Sequence, residues 1–100
     1  MKHYLVTLKL VIGEYEKATD TVIAADNGIL AGRMAMAIEC HGHAYWAPDM
    51  ETIYDLGGEL AYRVKGVSEL TDEEAVVLKK FLPSFTYSED SINEWSTEET

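Results

Sequence analysis

A chain of 100 residues that is 47% hydrophobic can fill one compact core and is too short for two. Its 18 acidic against 8 basic residues leave a formal charge of −10, which speaks against phosphate-backbone binding and for a protein partner with a basic surface, although the same excess also serves solubility alone. Cys40 has no partner for an internal disulfide, no stretch approaches the roughly 18 apolar residues of a membrane span, and the N-terminus lacks a secretory layout, so a cytoplasmic protein is expected.

From His3 to Ile12 the even positions Tyr4, Val6, Leu8, Leu10 and Ile12 are apolar, while His3, Thr7 and Lys9 sit at odd ones. That alternation is a strand with one hydrophobic face. About ten residues is long for a strand, which places it centrally in an antiparallel sheet. Gly13 to Lys17 reads as a hairpin turn, followed by a second strand over 19–25 in which Val22 and Ala24 face one way and Thr21 and Ile23 the other. Asp26 and Asn27 are N-cap residues for a helix reading ILAGRMAMAIEC, with Leu30, Met34, Ala37, Ile38 and His41 on one stripe. Gly32 costs that helix roughly 1 kcal/mol relative to alanine and marks close packing, and Gly42 is its stop signal.

Residues 43–50, HAYWAPDM, have no clean period and contain Pro48, so a loop is expected. ETIYDL, then Gly57 and Gly58, then ELAYRVKGV reads as a hairpin with a two-residue turn that sets Ile53 opposite Tyr62 and Asp55 opposite Leu60. Thr71 and Glu74 form a capping box for a second helix reaching about Leu82, with Ala75, Leu78 and Leu82 inward and Pro83 ending it. SFTY at 84–87 can supply a further strand, and from Ser88 onward five acidic and no basic residues read as a solvated tail carrying Trp95. The expected fold is α+β in the order ββαββα: an antiparallel four-stranded sheet, five-stranded if SFTY joins, with two helices packed on one face. One domain spans 1–87 and an acidic, flexible tail spans 88–100.

Two constellations could carry function. Cys40, His41 and His43 bring a thiol and two imidazoles together, the usual zinc ligands and a possible thiol–base pair. No second ligand pair completes a tetrahedron, neighbouring helical residues point apart, and neither a metal nor another cofactor is expected. Tyr45, Trp46, Asp49, Glu51, Tyr54 and Asp55 set aromatic anchors among carboxylates on a loop leading into a hairpin, the composition of a hot spot for a basic protein. Within it Tyr54 belongs to the core, and Trp46 reads equally well as a cover for the open end of the core.

The segment KHYLVTLKLVIGEYEKATDTVIAADN leading into a short helix, and the later ELTDEEAVVLKKFL, resemble small phage and prophage proteins, among them anti-CRISPR-type and other anti-defence inhibitors. The resemblance implies a host-interaction protein. With the charge, it leads to a non-enzymatic, acidic protein-binding module that blocks a basic nucleic-acid-handling surface, with Tyr45, Trp46, Asp49, Glu51 and Asp55 as contacts. A small metal or thiol enzyme using Cys40, His41 and His43, and a homo-oligomer pairing through a strand edge, are the alternatives.

Overall fold

In the computed structural model, which describes residues 1–40, 44–48 and 51–89, the alternating N-terminal segment forms strand β1 (Lys2–Ile12). It pairs antiparallel along its whole length with β2 (Tyr15–Ala25) and, on its other side, with a strand at Leu60–Leu70. Helix α1 (Gly28–Glu39) follows β2, then come the short strands β3 (Tyr45–Trp46) and β4 (Thr52–Asp55) ahead of Leu60–Leu70, which is therefore β5. Helix α2 (Asp72–Leu78) and strand β6 (Ser84–Thr86) complete a six-stranded sheet ordered β3-β4-β5-β1-β2-β6.

The even positions of β1 do what their spacing demands: Tyr4, Val6 and Leu8 are buried, with Ile23 and Ala25 of β2, Ile53 of β4 and Tyr62 of β5 on the same face. Helix α1 covers this face through Ala31, Met34 and Ala35. Asn27 caps it, its Oδ1 accepting from the Leu30 amide at 2.9 Å. Gly32 is the point of closest approach, since a Cβ there would lie 2.8 Å from Cγ2 of Val64. The glycine that weakens the helix is thus what lets it settle on the sheet.

Four features of the strands and helices depart from the sequence reading, besides the β4–β5 turn. The sheet is mixed and has six strands, because β6 adds parallel to β2 and Tyr45–Trp46 is a strand rather than loop, pairing with Tyr54 and Ile53. The first hairpin turns tightly at Gly13 and Glu14, with Ile12 directly opposite Tyr15; a charged, exposed stretch therefore forms strand instead of turn. Gly13, at φ 58, supplies the backbone conformation that turn needs. Helix α2 stops at Leu78 rather than Leu82, since the amides of Lys80 and Phe81 donate three residues back and wind the chain tighter ahead of Pro83.

The fourth departure concerns the helices, which do not share a face. Successive antiparallel pairings make β3, β5, β2 and β6 mutually parallel, so both helical connections are crossovers, and they run in opposite directions along the sheet. Right-handed crossovers then put α1 and α2 on opposite faces. The side chains agree: Lys79 Nζ sits 3.0 Å from Nε2 of His3, an odd-face residue. Val22, opposite odd-face Leu5, is buried together with Ala75 apart from the main core. The capping box of α2 is as expected, with Glu74 Oε1 accepting from the Thr71 amide at 2.9 Å and Thr71 Oγ1 from the Glu74 amide at 3.1 Å. Among the described residues no helix is long and apolar enough to cross a membrane.

Candidate functional site

The β4–β5 hairpin has the expected register, Ile53 opposite Tyr62 and Asp55 opposite Leu60, but its connection is a one-turn 3₁₀ helix at Leu56–Gly58 rather than a two-residue turn. Positive φ falls on Leu56 (52°) and Gly58 (94°). A leucine in the left-handed region costs about 1–2 kcal/mol, so something must hold it there. Asp55 does: it is fully buried, and its Oδ1 accepts from the Leu56 amide at 2.9 Å. The result is a leucine pushed outward, 45% exposed, at the tip of the hairpin.

Neighbouring strands bring further apolar groups to the same end of the sheet. Ile12 pairs with Leu60 on one side and with Tyr15 on the other. Ile12 is 43% and Tyr15 65% exposed. Exposed Glu14 and Glu59 lie next to them in the two turns. On the reverse face Tyr45 and Tyr54 are cross-strand partners with ring centroids 5.5 Å apart, and the Tyr45 hydroxyl lies under the hairpin tip, 3.6 Å from where a Cβ on Gly58 would be. Ile12, Tyr15 and Leu56 are thus exposed apolar side chains at one end of the sheet, with the tyrosine pair on its reverse face and Glu14 and Glu59 in the adjoining turns. Sequence reasoning missed these three. Tyr15 falls in a polar stretch that reads as turn, Leu56 borders a glycine pair that reads as the whole loop, and Ile12 continues the apolar face of β1.

Beneath this end lies a polar cluster. Tyr62 donates from its hydroxyl to the Glu39 carbonyl at 3.3 Å, and Cys40 donates from Sγ to the Met36 carbonyl at 3.3 Å. Burial, followed by the nearby Asp55 and then Glu39, pushes the Cys40 thiol from 9.0 up to about 12. Burial and the same carboxylate, with Cys40 and Glu39 behind them, push Tyr62 to about 12. Both groups are therefore neutral donors at neutral pH, and a protonated thiol is a poor nucleophile. Among the described residues no three His, Cys, Asp or Glu side chains converge as a metal site.

The residues proposed from sequence divide sharply. Trp46, 1% exposed, is a core residue, and Asp55 is fully buried; β3 and β4 turn both side chains toward the face that α1 covers. Tyr45 is half-buried and paired with Tyr54, and Glu51 is exposed. Asp49, His41 and His43 lie outside the described residues. Val76, Val77 and Phe81 of α2 and the turn after it are exposed as well, among Asp72, Glu73, Glu74, Lys79 and Lys80.

Compared with protein-family models, with curated proteins and with solved structures, the chain matches none.

Proposed function

We propose that this chain is a small, acidic, non-enzymatic binding module of the cytoplasm that docks on a basic surface of another protein, and does so through the turn end of its sheet. The observation that carries the proposal is the coincidence of Ile12, Tyr15 and Leu56, exposed, with Glu14 and Glu59 around them. Apolar anchors supply affinity, and the carboxylates supply orientation and an attractive long-range field. The exposed apolar side chains of α2 sit among charges of both signs, Asp72, Glu73 and Glu74 at the start of the helix and Lys79 and Lys80 after its end, whereas the turns beside Ile12, Tyr15 and Leu56 carry the carboxylates Glu14 and Glu59.

The strain at Leu56 supports the same reading. A leucine held in an unfavourable backbone conformation and projected into water gains nothing evident for stability from its own exposure, and strain of this kind gathers where a side chain must be presented. The enzyme alternative loses support from Cys40, whose proton is held well above neutral pH. A target surface that normally grips nucleic acid fits the charge and the likeness to phage anti-defence proteins. Capture from a bacterial lysate at low and at high salt, followed by titration of the purified partner, tests the proposal: a basic protein retained at low salt and shed at high salt is expected, and salt-independent retention would overturn the electrostatic part.

A further inference from the structure

Helix α2 carries two stripes, and the sheet uses one of them. Ala75, 2% exposed, faces the sheet with half-buried Leu78 three residues on, and Lys79 beside them reaches His3. The second stripe, Glu73, Val76, Val77 and Lys80, has the spacing i, i+3, i+4, i+7 and lies on the side turned away from Ala75, where all four residues are exposed. Val76 is 61% and Val77 52% exposed, and Phe81, one turn beyond Val77, is 78% exposed. Helical winding persists that far, because the amides of Lys80, Phe81 and Leu82 donate to the carbonyls of Val77 and Leu78. Valine is a poor choice for an exposed helical position, since its branched side chain is restricted against the preceding turn and alanine, glutamate or lysine would favour the helix more. Two valines side by side with a phenylalanine one turn on form a patch of the kind that marks a contact surface.

The charges at the two ends of the stripe indicate what it meets. Glu73 stands at the start of the helix and Lys80 after its end, and the midpoint between them falls between Val76 and Val77. Turned about a two-fold axis through that midpoint, a second copy of α2 brings its Lys80 opposite Glu73 and its Glu73 opposite Lys80, with Val76 against Val77 in between. A parallel arrangement instead opposes like charges, Glu73 to Glu73 and Lys80 to Lys80. The stripe is thus its own complement. It also bears no net charge, which matters for a chain of −10, whose copies repel one another at long range.

We infer that two copies of this chain associate through α2, antiparallel across a two-fold axis between Val76 and Val77. Helix α2 follows Leu70, which pairs with His3, whereas the turn end lies at Ile12 and Leu60, the opposite end of the same strands. Pairing through α2 therefore leaves both turn ends open, and the pair presents two of them at once. The inference does not rest on docking through the turn end, since the pair forms with or without a partner there.

Sedimentation equilibrium of the full chain from about 10 µM to about 1 mM, the range in which a small, transient interface populates its dimer, tests the inference. A monomer–dimer equilibrium is expected, and Val76→Ser combined with Val77→Ser should remove it. Glu73→Lys and Lys80→Glu should each weaken it at least about tenfold, because both ion pairs of the dimer become repulsive. Mixing those two variants restores opposite charges at both positions, so the mixture should recover wild-type affinity, as should the exchanged chain carrying Glu73→Lys and Lys80→Glu together. Circular dichroism checks that each variant remains folded; Glu73 takes no part in the capping box, which uses Glu74. A chain that stays monomeric at about 1 mM, a dimer that survives the double serine variant, or charge variants that do not recover on mixing would overturn the inference.

Discussion

Replacing Gly32 by alanine should destabilise this protein although it improves the helix. In an unobstructed helix interior the change gains about 1 kcal/mol. Here the new methyl carbon would lie 2.8 Å from Val64 Cγ2, with Val64 Cγ1 at 3.7 Å and Cβ at 3.8 Å. An ordinary contact needs roughly 3.5–4.0 Å, so either α1 lifts off β5 or Val64 leaves its rotamer. Overpacking of this kind costs about 1–3 kcal/mol. Set against the gain in propensity, the net is a loss of up to about 2 kcal/mol, and each 1 kcal/mol lowers the melting temperature of a domain this size by about 4–8 °C. Urea titration of wild type, Gly32→Ala, Val64→Ala and the double variant isolates the clash. The double variant should be more stable than the sum of the single effects by about 1 kcal/mol or more. A Gly32→Ala protein about 1 kcal/mol more stable than wild type, with additive behaviour in the cycle, would show that α1 does not rest on Val64 and would refute the packing described for this face.

Three further outcomes follow from the turn end. Asp55→Ala should cost about 2–3 kcal/mol in urea unfolding, because it leaves the Leu56 amide without its acceptor and the left-handed residue without support; a change within 0.5 kcal/mol, roughly that of a neutral surface site, would contradict the anchoring role. Leu56→Gly exchanges strain and a half-exposed side chain for backbone freedom, so stability should stay within about 1 kcal/mol of wild type while partner affinity falls. For Cys40, the thiol keeps its proton to about pH 12 in the fold but ionises near 9.0 when unfolded. The stabilising contribution is thus complete below pH 9 and is lost as pH rises toward 12. The stability difference between wild type and Cys40→Ala should accordingly shift against wild type between pH 8 and pH 10.5; a constant difference would mean that the thiol is not desolvated.

The parts of the fold legible in the sequence are those fixed by local chemistry. Alternation over His3–Ile12 located β1, Asn27 and the Thr71–Glu74 box located both helix starts, and the spacing around the glycine pair gave the correct register of β4 and β5. What failed depends on distant neighbours. Tyr15–Lys17 is polar enough to read as turn, yet it forms strand because β1 offers it a complete ladder. Tyr45–Trp46 is too short to signal a strand and exists through its pairing with β4. The assignment of both helices to one face failed because which side a helix takes follows from the direction of its crossover, which needs the strand order first. Of the aromatics and carboxylates singled out from sequence, two-residue periodicity turns Trp46 and Asp55 inward and leaves Tyr45 and Tyr54 on the other face.

Asp55 illustrates how a plausible contact residue can be a positioning residue instead. Its carboxylate is buried, it accepts a hydrogen bond from the backbone of the residue it presents, and its charge helps keep Cys40 and Tyr62 protonated. A charge-reversal scan that included Asp55 would therefore unfold the tip and mimic a lost contact. The informative substitutions are at the exposed residues.

The most direct test of docking through the turn end is a comparative capture in which wild type and a Tyr15→Ser, Leu56→Ser variant are offered the same bacterial lysate, and the affinity of the purified partner for each is then measured at low and high salt. Retention of a basic protein by wild type at low salt, with affinity lowered at least tenfold in the variant, as expected for loss of two anchors of at least about 1 kcal/mol each, is the predicted result. Equal affinity of the two proteins for that partner would contradict it.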